Sequence, residues 1–212
     1  MRLVALLLSV TLLAGCASSP PPTLMPAEAA ALSEVVTIGR QIYKKDIHAA
    51  KATDLLLAEI DPRVPGFRGW VTYPTQGGIK VSFYREQADS YVVMADVEFV
   101  DNAEPALFLD PPRQPSEMEQ SMVRARLAAL SVGTNSCSQR FNTVVLPSRQ
   151  SEPWDVYVLA ATTQRNLVQL GGHSRIVVSK ESAEVLDQEP FSKSCLALDK
   201  SAGDSATTQT PP

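Results

Sequence analysis

Between Ile79 and Phe99 the chain alternates apolar and polar residues with a period of two, and this constrains the fold more than any other feature. Ile79, Val81 and Phe83 alternate with Lys80 and Ser82, and Tyr91, Val93, Ala95, Val97 and Phe99 alternate with residues that include Asp96 and Glu98. Successive side chains of a strand point to opposite faces, so each run is expected to bury one face and wet the other, as antiparallel sheets do. Upstream, Trp70-Val71-Thr72-Tyr73 reads as a further strand, with Gln76-Gly77-Gly78 as the turn between.

Two helical stretches flank this region. From about Ala27 to Ile60, Val35, Ile42, Ala49, Thr53, Leu56 and Ile60 recur near heptad spacing until Asp61-Pro62 ends the pattern, with Gly39 and Lys44-Lys45-Asp46 as candidate kinks. Ser116-Glu117-Met118-Glu119 is a capping box that predicts a second helix, with Met118, Met122, Val123, Ala125, Ala129 and Leu130 on its apolar side and Gly133 as its stop. Strand patterns then return at Phe141 to Leu146, Trp154 to Thr162, Leu167 to Leu170, His173 to Ser179 and Ala183 to Asp187. The run Trp154 to Ala161 is apolar on both faces and is expected to be central. Helix, strands, helix, strands predicts one α+β domain over residues 27–199, an antiparallel sheet with both helices on one face. The rough repetition hints at a duplicated helix-plus-strands unit, although no residue-level repeat is visible.

The amino terminus has the three-part layout of a secretory signal: Arg2, the apolar run Leu3 to Leu13, then small residues. That run is too short for a spanning helix, which needs about 20 residues. The segment Leu13-Ala14-Gly15-Cys16 resembles the lipobox of bacterial lipoproteins, a resemblance confined to the first sixteen or so residues. It implies removal of residues 1–15 and acylation of Cys16 by thioether and amide linkage. Each buried methylene contributes about 0.8 kcal/mol, so several acyl chains hold firmly and Cys16 is a tether, not a catalytic thiol. In this family an aspartate after the cysteine is the usual inner-membrane signal; Ala17 stands there, which implies the outer membrane. Residues 16–26 read as lipidated anchor and Pro/Ser spacer, which at about 3.1 Å per residue lifts the domain some 25 to 30 Å. Residues 200–212, small and polar, are expected to form a disordered tail.

Charge narrows the partners. Cleavage removes one of 19 Lys and Arg and none of 23 Asp and Glu, so the mature chain stays acidic, with no basic run longer than Lys44-Lys45. Nucleic acid, which demands a clustered basic surface, is not an expected partner. With Cys16 acylated, Cys137 and Cys195 remain. In an oxidising envelope they are expected to pair, and their distance in sequence together with only two histidines makes a poor zinc site. No metal or other cofactor is implied.

Candidate site residues are few. In Leu170-Gly171-Gly172-His173-Ser174-Arg175, the glycines Gly171 and Gly172 would let backbone amides approach an anion while His173 and Arg175 share a strand face. The simpler reading is a Gly-Gly hairpin turn with His173 at a strand end. Asp46 and Asp54, two helical turns apart near the apolar stripe, are candidate acid/base residues with His48, although helical phase weakens the cluster; the plainer reading is capping and backbone hydrogen bonding. Trp70, Tyr73, Tyr84, Trp154 and Tyr157 would either line a groove for glycan or peptide or fill the core, the commoner fate of aromatics at strand spacing. No nucleophile elbow, Ser-x-x-Lys pair, phosphate loop, dinucleotide fingerprint, His-Glu-x-x-His or calcium loop is recognisable. The reading is a non-enzymatic envelope lipoprotein that binds a protein, peptidoglycan or a small ligand. The alternative is a periplasmic hydrolase with dispersed residues; a cleft gathering His173 or Asp46 with other titratable groups would favour it.

Overall fold

The computed structural model describes residues 25–200 except 62, 89, 110–111, 149–151, 163 and 165. The signal segment, Cys16, the spacer through residue 24 and the tail from residue 201 lie outside the described residues. The chain divides into two compact units, residues 1–37 and 38–212, with the boundary inside the first helix.

Of the first unit, residues 25–37 are described. They begin α1 (Pro26–Glu59), which has proline at its first helical position, where the missing N–H has no intrahelical partner to lose. The Met25 amide donates to Glu28 Oε2 at 2.9 Å and so satisfies one of the free groups of the helix start. Val35 is 62 % exposed and does not belong to a buried stripe. The helix continues through Gly39 and Lys44-Lys45-Asp46, so neither interrupts it.

In the second unit, α1 is followed by β1 (Phe67–Thr75), β2 (Gly78–Gln87), β3 (Ser90–Val100) and β4 (Ala106–Phe108), which pair antiparallel in chain order. Thr75 faces Gly78 across the β1–β2 turn, as the Gln76-Gly77-Gly78 signal predicts. After α2 (Glu117–Gly133) come β5 (Phe141–Pro147), β6 (Pro153–Ala160), β7 (Leu167–Gln169), β8 (Ser174–Ser179), β9 (Val185–Pro190) and β10 (Ala197–Asp199). The order β5-β6-β8-β9 forms a second antiparallel sheet, while β7 leaves it to pair with β10. A helix followed by strands of a four-stranded antiparallel sheet therefore occurs twice, and the class is mixed α+β. The strand Pro153–Ala160 is central in its sheet, flanked by β5 and β8.

The two helices do not share a face, contrary to expectation. On one side, Met122, Val123, Ala125 and Ala129 of α2 join Val71 and Tyr84 of the first sheet and Val145, Val156, Val158, Ile176 and Val178 of the second in one core. On the other side, Ala52 and Leu56 of α1 pack with Val81, Phe83, Ala95 and Val97, while Ile38 and Ile42 lie against Val144, Leu146 and Tyr157. Alternate residues of β2, β3 and β5 thus go to different helices, so the face expected to be wet is covered instead. Met118, placed on the apolar side of α2 by its spacing, is 43 % exposed, and Glu119 and Arg126 of that helix are buried.

Polar residues on the α2 side of the first sheet find one another. Ser82 Oγ donates to Asp96 Oδ1 at 2.5 Å, and the Arg113 guanidinium donates to Asp96 Oδ2 at 2.8 Å and Glu119 Oε1 at 2.6 Å. Tyr73 Oη donates to Glu119 Oε1 at 2.7 Å, and the Ser116 amide to Glu119 Oε2 at 2.7 Å. The last bond is half of the capping box, completed by the Glu119 amide on Ser116 Oγ at 3.3 Å. Burial pushes the Glu119 carboxyl up, but the donors from Arg113, Ser116 and Tyr73 outweigh it and lower the pKa to about 2. Arg126, 5 % exposed, donates to Thr143 Oγ1, the Arg68 carbonyl and Tyr84 Oη at 2.7 to 2.9 Å, and its guanidinium lies 5.6 Å from the Trp70 ring centre. These acceptors and the π face compensate a buried cation.

Cys137 and Cys195 form a disulfide with Cα atoms 5.0 Å apart. The bridge ties the connection after α2 to the segment entering β10. Beyond β10 the Lys200 amide donates to the Asn166 carbonyl at 2.8 Å. This strap also explains Gly171-Gly172, which is not a hairpin turn because β7 pairs with β10 and not with β8. A Cβ on Gly171 would stand 2.0 Å from the Ser194 carbonyl oxygen, and one on Gly172, whose φ is +82°, 2.5 Å from Cys137 Cβ. The pair is the space through which the disulfide strap passes.

Candidate functional site

An open cleft of about 640 Å³ lies within the second unit, between α1 and the end of the first sheet. Its helical wall carries Lys44, His48, Lys51, Leu55 and Ala58, with Asp54 beside them. Steps of four, three, four and three residues keep the first five on one face of a helix. The opposite wall is the β3–β4 turn, where Asp101, Asn102 and Glu104 stand. The turn is tight: the Ala103 amide donates to the Val100 carbonyl at 3.1 Å, and Asn102 adopts φ 62°, a left-handed conformation that asparagine tolerates. Buried Ile79 and half-buried Leu55 and Phe99 give the cleft its apolar part.

His48 is oriented by two contacts. Its Nδ1–H donates to the Lys44 carbonyl at 2.5 Å, leaving Nε2 as the acceptor of the neutral ring, and the ring meets Phe99 edge-on at 4.7 Å between centres. By contrast, the side chains of Lys44, Lys51, Asp54, Asp101 and Glu104 make no ion pair or hydrogen bond among the described residues. The lining has no side-chain hydroxyl or thiol. Among the described residues, no group of three or more His, Cys, Asp or Glu is placed to hold a metal ion.

The residues singled out from the sequence scatter. Asp46 does not join Asp54: it turns toward β5, where Asn142 Nδ2 donates to it at 3.0 Å, and burial raises its pKa, partly offset by that bond. Its neighbour Lys45 reaches the Val145 carbonyl at 2.8 Å, and burial lowers its pKa to about 8. Only His48 and Asp54 of the proposed acid/base set line the cleft. His173 and Arg175 do not assemble an anion site with Gly171 and Gly172. His173 Nδ1 accepts the Ala160 amide at 3.0 Å and its Nε2–H donates to the Gln169 carbonyl at 3.1 Å, so the ring bridges β6 and β7. Arg175 pairs with Asp155 at 3.0 Å and Glu189 at 3.3 Å. Of the aromatic set, Tyr84, Trp154 and Tyr157 are buried, and Trp70 and Tyr73 pack against the core.

Comparison with protein-family models, curated proteins and solved structures finds no match to this chain. The cleft is therefore read from its own chemistry. Lys44, Lys51, Leu55 and Ala58 were legible as one face of a helix once their spacing is counted. Asp101 and Glu104 carried no such signal, because only strand pairing brings the β3–β4 turn to that helix.

Proposed function

We propose that this protein is a lipid-anchored envelope binding module, tethered through Cys16 to the outer membrane, whose cleft between α1 and the β3–β4 turn holds a small ligand. The supporting observation is a cleft of about 640 Å³, within the range that takes small molecules, that joins an apolar floor to charged groups with no ion pair or hydrogen bond among the described residues. The buried Glu119 carboxylate of the second unit is compensated by Arg113, whereas the charged side chains lining the cleft make no ion pair among the described residues. Hydrolysis is the less supported reading, since Asp46 and His173 lie outside the cleft and no hydroxyl or thiol lines it.

Two experiments test the two halves of this reading. Cys16→Ala is expected to abolish palmitate labelling in intact cells and to leave the precursor with its signal attached; equal labelling of the variant and wild type would overturn the anchor. For the cleft, a low-molecular-weight envelope fraction is expected to raise the melting midpoint of the purified full chain. At a hundred times Kd the gain is about 2.7 kcal/mol, or roughly 5 to 10 °C for a chain of this size. Ala58→Trp, placed at an exposed helical position facing the cleft, fills it and is expected to remove the shift. A shift of equal size in that variant, or none in wild type with any fraction, would count against the cleft.

A further inference from the structure

We propose that the ligand is a short peptide carrying both a free carboxylate and a free amine, the carboxylate held on the α1 wall and the amine on the β3–β4 turn. The inference rests on the binding reading above and adds the ligand's class. Its basis is that the two walls differ in sign and stay apart. On α1, Lys44 and Lys51 project from one helical face with His48 between them, and their two ammonium groups outnumber Asp54. Across the cleft, Asp101 and Glu104 carry only negative charge, and neither lies within ion-pair distance of either lysine.

A simple anion would answer one wall and be repelled by the other, and a simple cation likewise. A molecule with opposite charges at its two ends answers both, and charge complementarity of this kind selects partner and register. Between the walls, Ile79, Phe99 and Leu55 offer apolar surface for small side chains or methylenes, which excludes a compact zwitterion that is polar throughout. A peptide of a few residues meets all three requirements: two charged ends, a body with apolar substituents, and drug-like bulk suited to the cleft.

The probes are tetra-alanine, its N-acetylated form, its C-terminal amide and the doubly blocked peptide, each titrated calorimetrically into the purified full chain. The free peptide is expected to bind, and blocking either end to weaken it about tenfold or more. In the Lys44→Ala/Lys51→Ala variant, amidation is expected to make no further difference while acetylation still weakens binding. In Asp101→Asn/Glu104→Gln, the reverse is expected. Lys51, Asp101 and Glu104 are exposed and none of the four side chains makes an ion pair or hydrogen bond among the described residues, so unchanged melting of both variants shows that the fold is retained. Equal binding of free and doubly blocked peptide, or end preferences that persist in the matching variant, would overturn the proposal. If tetra-alanine fails to bind while an envelope fraction still gives the Ala58-dependent shift, the ligand class is wrong and the cleft reading stands. If both fail, both fall.

Discussion

Replacing Cys137 and Cys195 together by serine is expected to lower stability by about 4 kcal/mol and the thermal midpoint by roughly 10 °C. The magnitude follows from the sequence separation of 58 residues, since the bridge removes that loop's closure entropy from the unfolded chain. The native segment keeps other holds. Leu170 and Gly171 amides both donate to the Leu196 carbonyl, at 2.8 and 3.0 Å, and the Phe191 amide to the His173 carbonyl at 2.9 Å. The variant should therefore fold, with its chain end after Pro190 opening to protease before the two four-stranded sheets do. Denaturant unfolding with and without reductant, together with limited proteolysis, measures both effects. A double variant as stable as wild type would show that the strap contributes nothing, and two reactive thiols in the denatured, unreduced protein would show that the bridge does not form.

Glu119→Gln is expected to cost about 3 kcal/mol at pH 7 and much less near pH 2. Glutamine keeps the size of the side chain and one acceptor oxygen, which serves Tyr73 or the Ser116 amide but not both, so the change removes the charge facing Arg113 together with one accepted hydrogen bond. The sign follows from the depressed carboxyl. Because the folded value is about 2 and the unfolded one 4.5, the contribution is complete above about pH 5 and is lost as pH falls from there toward 2. Wild type should thus lose stability along that acid limb, while the variant stays flatter. Urea unfolding at a series of pH values decides it; a gap between the two proteins that does not narrow in acid would mean that the carboxylate acts through shape alone.

Period-two alternation at Ile79 to Phe83 and Tyr91 to Phe99 determined two paired strands, because a pleated strand has only two faces. The capping box at Ser116 and Glu119 determined where α2 begins, because its bonds span three residues. Pairing of Cys137 with Cys195 was legible by elimination on the expectation that Cys16 is the anchor. These are local or counting arguments. They could not assign a face. The residues Ser82 and Asp96, polar and alternating with apolar neighbours, read as wet, and only the position of α2 shows that Arg113, Tyr73 and Glu119 cover them. Gly171-Gly172 read as a turn, since nothing local reveals that a strap from residues 192–196 crosses there. The cleft was half visible: the spacing of Lys44, His48, Lys51, Leu55 and Ala58 lies in the sequence, but its acidic wall does not. Sequence by itself determined which residues can share an element, because backbone geometry fixes local periodicity. Only the tertiary structure decided which faces meet, because that depends on where segments some 50 residues apart in the chain come to lie, as Lys51 and Asp101 do across the cleft.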